Sequence, residues 1–99
     1  MVIYHIVLPE RWNPLDPEMD YEAESLVTEG FIHCSFIDQL DAVLQRYYKD
    51  AEKVLILSID PAKLSSRLVE EPSTDNEIYP HIYGAINRDA ILAVEEREL

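Results

Sequence analysis

The chain has 99 residues, 47% of them apolar and 28% charged, with 20 acidic against 8 basic residues and a formal net charge of −12. That length suits one domain with one core, and the acidity excludes nonspecific binding to nucleic acid or to an anionic membrane, both of which need a basic surface. No apolar stretch approaches the roughly 20 residues that cross a bilayer, so no membrane association is expected.

Met1–His5 lacks the basic region and small-residue cleavage site of a signal peptide. The one cysteine, Cys34, makes no internal disulfide. A cytoplasmic location is the expectation, with Cys34 a buried structural residue.

Residues 2–8 are apolar on both parities apart from His5, the pattern of a strand covered on both faces. Pro9, Pro14 and Pro17 make residues 9–19 a loop or broken turn, with Trp12 packed down as its anchor. Asp20 is placed to cap a helix running to about Glu29, and Gly30 to end it as the C′ residue.

A strand over residues 31–36 follows, with Phe31, His33 and Ser35 on one face and Ile32, Cys34 and Phe36 on the other. Leu40, Val43, Leu44, Tyr47 and Ala51 recur at helical spacing, which predicts a helix over residues 37–50. Ser35 with Asp38 matches a helix-start signal, so Ser35 has a structural role as N-cap beside any chemical one.

Residues 54–59 read as a second buried strand, and Asp60-Pro61 as the start of a short helical turn. Strands are expected over 67–70, 77–83 and 90–97, the last at a sheet edge because of its charges. The order predicts a single α+β domain over residues 1–99, with helices packed on a mixed or antiparallel sheet.

Every histidine and both glycines fall in three short segments: Tyr4-His5-Ile6, Gly30-Phe31-Ile32-His33-Cys34-Ser35 and His81-Ile82-Tyr83-Gly84. If the three strands neighbour one another, a cleft collects His5, His33, Ser35, His81 and Tyr83. Imidazole and phenol orient a sugar or carbonyl oxygen and pass protons near neutral pH. A three-histidine metal site is the sharper alternative, but no two histidines have local chelate spacing. A serine hydrolase lacks its G-x-S-x-G elbow, with Glu70 and Glu71 the available acids. The plainest alternative is a hydrogen-bond network that only fixes the fold of an interaction module, whose acidic surface would meet a basic partner.

Tyr4-His5-Ile6, the run from Tyr21 through Ser25-Leu26 to Glu29-Gly30-Phe31-Ile32-His33-Cys34-Ser35, and Pro80-His81-Ile82-Tyr83-Gly84 resemble the bacterial family called domain of unknown function 952. Tyr79 stands where that family suggests phenylalanine, and the Trp12–Asp20 loop is richer in proline and acid. The resemblance implies the fold of ADP-ribosyltransferases and an NAD-like or other ribosyl ligand. His5 would then hold a ribose, with His33 and Ser35 binding alongside it. By the same likeness His33, Ser35, His81 and Tyr83 would serve any glycosyl or phosphoryl-ribose transfer, and His81 and Tyr83 occupy the region of the usual catalytic glutamate.

Overall fold

The computed structural model describes residues 1–99. Its elements are β1 (Ile3–Val7), α1 (Pro9–Trp12), α2 (Glu24–Thr28), β2 (Ile32–His33), α3 (Leu40–Tyr47), β3 (Lys53–Ile59), β4 (Arg67–Pro72), β5 (Ile78–Tyr83) and β6 (Ile91–Glu98). Short 3-10 turns occupy Ile37–Gln39, Pro61–Lys63, Thr74–Asn76 and Arg88–Ala90.

The strands form two three-stranded antiparallel sheets, ordered β1-β3-β6 and β2-β5-β4. The α+β class therefore holds, with two small sheets in place of one. β1 and β3 are apolar on both parities because both of their faces are covered. On one side Ile3, Val7, Leu55, Leu57 and Ile59 meet Ile32 and Ile82 of the second sheet. On the other, Ile6, Val54 and Ile56 pack against Leu40 and Leu44 of α3. Ile3, Ile32, Leu57, Ile59 and Ile82 are fully buried, and each such side chain contributes about 1.5–3 kcal/mol relative to exposure. β6 lies at a sheet edge, as its charges suggest.

The sheets are joined at the free edge of β1. Tyr4 N–H donates to the Ser35 carbonyl at 2.9 Å, and Ser35 N–H to the Tyr4 carbonyl at 2.7 Å. A second bridge pairs Tyr21 with Ile86, each N–H donating to the other's carbonyl at 2.8 Å.

That second bridge corrects the helix expected from Asp20. Tyr21 is drawn into an extended pairing and buried, so α2 begins only at Glu24. Gly30 ends α2 as expected, at φ +89°. Ser35 is not the cap of the next helix: the turn starts one residue later, with Phe36 at the cap position and the Gln39 side-chain oxygen accepting the Phe36 N–H at 2.9 Å. A 3-10 turn then leads into α3, which stops at Tyr47. Asp60 caps its turn by accepting the Ala62 N–H at 3.0 Å.

Trp12 anchors the long loop as expected. It packs against the core, with the Arg88 guanidinium 4.5 Å from its ring centroid. Arg88 also donates to the carbonyls of Met19 (2.7 Å) and Asp16 (3.0 Å), tying the proline-rich stretch down.

Candidate functional site

A cavity of about 900 Å³ opens beside the edge where the sheets meet, and His5, Tyr21, His33 and Ser35 all line it. The volume is near the upper end for small-molecule sites.

His5 points from β1 toward the second sheet. Its Nδ1 lies 2.6 Å from the His33 carbonyl oxygen, and its Nε2 2.9 Å from the Tyr21 hydroxyl. A carbonyl oxygen only accepts, so Nδ1 carries the hydrogen, and Tyr21 O–H donates to the Nε2 lone pair. The chain thus selects one neutral tautomer. Burial lowers the His5 pKa to about 4, against a smaller upward pull from the His33 carbonyl. Burial likewise raises the Tyr21 phenol, keeping it a donor at neutral pH.

Ser35 is buried, at 5% exposure, and lines the cavity. Its backbone is paired to Tyr4, while its hydroxyl has no partner within the chain and is not sealed from the cavity. Cys34 is buried in the core, and its thiol is pushed up by burial, which removes thiolate character.

His33 stands between two groups. The residue lines the cavity, and its Nε2 lies 3.1 Å from a Glu29 carboxylate oxygen. It is also the cross-strand partner of His81, ring centroids 5.3 Å apart and nearly perpendicular.

His81 and Tyr83 lie outside the cavity wall. His81 Nδ1–H donates to Glu71 at 2.8 Å, and the Tyr83 hydroxyl donates to the same carboxylate oxygen. Those two bonds, Tyr83 first, hold the Glu71 carboxyl below its usual range, and Glu71 in turn raises the Tyr83 phenol. Phe31 stacks on His81 at 4.3 Å between centroids, with 25° between the rings. The His81 Nε2 is buried without a partner.

The three histidine segments do come together, but around His33 and on two sides of it. Both His5 nitrogens are engaged by protein groups, and no three His, Cys, Asp or Glu side chains are grouped to hold a metal ion. Tyr21 falls within the helix expected from Asp20, and no local pattern signals its tie to His5. Glu71 was legible as an available acid. Its place is set by the β4–β5 register, where Glu71 sits diagonal to His81 on one face.

Comparison with solved structures gives the protein CC0527 from Caulobacter crescentus, at TM-score 0.88 and 20% identity, covering 100% of this chain and 88% of that one. A double methionine mutant of CC0527 matches at TM-score 0.87 and 19% identity, with the same coverage. At that identity the likeness is one of fold. No curated protein matches the chain. The family model described as "Protein of unknown function (DUF952)" matches residues 6–94. Since that match spans nearly all of both sheets and the cavity between them, the chain belongs to the DUF952 family.

Proposed function

We propose that the cavity binds a ribosyl ligand of the nucleoside or nucleotide class, NAD-like in its sugar, on an ADP-ribosyltransferase-like fold. The observation that carries this is the wall formed by His5 and Ser35. A neutral imidazole is locked in one tautomer beside a serine whose hydroxyl has no partner in the chain and faces the cavity. With no partner in the chain, that hydroxyl is open to the cavity and free to pair with a ligand hydroxyl. The size of the cavity and the position of His5 on the first strand agree with the resemblance.

The reading is one of binding and orientation. The Cys34 thiol is raised, and no base is hydrogen-bonded to Ser35, so glycosyl or phosphoryl-ribose transfer here would proceed without a covalent nucleophile. For His81 and Tyr83 a second reading is favoured by burial. At 2% exposure and off the cavity wall, His81 belongs with Glu71 and Tyr83 to a network that fixes the outer face of the second sheet.

Histidine ring resonances followed by NMR during titration with NAD, ADP-ribose and nicotinamide riboside test this. His33, and His5 beside it, should shift while His81 moves little. Silence of all three rings at millimolar ligand would refute binding.

A further inference from the structure

The charges around the cavity go further than its hydroxyl. Three carboxylates line it, those of Glu22, Glu24 and Glu29, against one guanidinium, Arg11. Glu24 already holds Arg11 at 3.2 Å, and Glu29 faces His33 at 3.1 Å. His5 adds no cation at neutral pH, because its folded pKa is about 4. A phosphate, at −1.5 to −2 charge, would enter with no free cation to meet it and Glu22 unpaired nearby. The surrounding field is acidic as well, since the chain carries −12. Tyr48 also lines the cavity and aromatic faces attract cations, whereas the Tyr47 ring already carries the Arg46 guanidinium, 5.9 Å from its centroid and paired to Asp75 at 3.2 Å.

We infer that the cleft selects a phosphate-free, positively charged aromatic riboside, of the N-ribosylpyridinium type, over its phosphorylated and its uncharged counterparts. This rests on the ribosyl-binding reading above. The Ser35 hydroxyl would meet the sugar, Tyr48 the ring, and the acidic rim its charge.

Calorimetric titration of the full chain tests it with three probes: nicotinamide riboside as the cation, nicotinamide mononucleotide as its phosphorylated form, and reduced nicotinamide riboside as the uncharged form. At about 0.05 M salt the cation should bind roughly tenfold or more tighter than either other probe. The gap should narrow at about 0.5 M salt, where exposed charges are screened. The double substitution Glu22→Gln/Glu24→Gln, at two exposed positions, should erase most of the preference and improve mononucleotide binding by freeing Arg11. Mononucleotide binding as tightly as the riboside, or the uncharged form matching the cation, would overturn the inference and leave the ribosyl reading standing. Binding of none of the three would overturn both.

Discussion

Nδ1 of His5 lies 2.6 Å from the carbonyl oxygen of His33, so a side chain of one sheet is tied to the main chain of the other. With Tyr21 on the opposite nitrogen, the imidazole is a neutral link whose protonation would break one of its two bonds.

The pH dependence of stability follows with a definite sign. The His5 pKa is about 4 in the folded chain against 6.5 as the ordinary value, so the unfolded chain takes up the proton first. The contribution is fully present above about pH 6.5 and is lost as pH falls toward 4. At pH 5 the loss should be on the order of 2 kcal/mol. Glu71, whose carboxyl is depressed, contributes in the same direction but only below the ordinary carboxylate pKa. Urea unfolding of the wild type and of His5→Gln at pH 7.5 and pH 5 separates the two. The wild type should weaken between these pH values and His5→Gln should weaken much less. Equal slopes would show that His5 is not the group responsible.

Tyr21→Phe removes the donor to Nε2 and leaves a buried lone pair unmatched. A loss of about 1–3 kcal/mol is expected. The His5 pKa should also move upward, because the removed bond favoured only the neutral form. An NMR titration of the His5 ring that stays near 4 would contradict this account of the tautomer.

Much of this arrangement was legible in the chain. β1 and β3 announced themselves by being apolar on both parities, and Gly30 and Asp60-Pro61 marked the ends they make. The beginning of α2 was not legible. Asp20 has good local capping chemistry, but the backbone of Tyr21 gains two hydrogen bonds from Ile86, a partner remote in sequence that no local pattern reveals. Of the two roles open to Ser35, the cap falls away because the turn starts one residue later, with Phe36 at the cap position. The Ser35 main chain is paired to Tyr4, and Gln39 does the capping instead. Strand alternation placed His81 and Tyr83 on a common face but could not say which side of the sheet borders the cavity.

The network around His81 gives an asymmetric pair of substitutions. His81→Phe removes an imidazole whose Nε2 is already unpartnered, and places a ring against Phe31. Stability should fall by only about 1 kcal/mol, because the bond lost to Glu71 leaves a partly exposed carboxylate that keeps its bond from Tyr83, and the unpartnered Nε2 is no longer buried. Ligand binding in the cavity should persist. His5→Phe, by contrast, strands the Tyr21 hydroxyl and the His33 carbonyl and should cost about 2 kcal/mol or more. Chemical denaturation of the two variants side by side decides the matter, and a reversed order would refute it.

The two glycines should also differ. Gly30 has φ +89° with nothing near the position of an added Cβ, so Gly30→Ala costs only backbone strain, about 1–2 kcal/mol. At Gly84 an added Cβ would lie inside contact distance of the Ser66 Oγ, which donates to the Ala85 carbonyl at 2.6 Å. Gly84→Ala should therefore be the more damaging. Thermal melts ranking the two the other way would sink this comparison.

The seam between the sheets also sets the order in which the molecule can assemble. β1 waits for β3, β2 waits for β5, and the Tyr21 segment waits for Ile86. Closing such distant loops is slow, because their entropy is lost before the contacts are won. Early folding species that hold only the β4–β5 hairpin lack the walls of the recess altogether. Ligand recognition then becomes a late event on the folding route, and added ligand should retard unfolding far more than it speeds refolding.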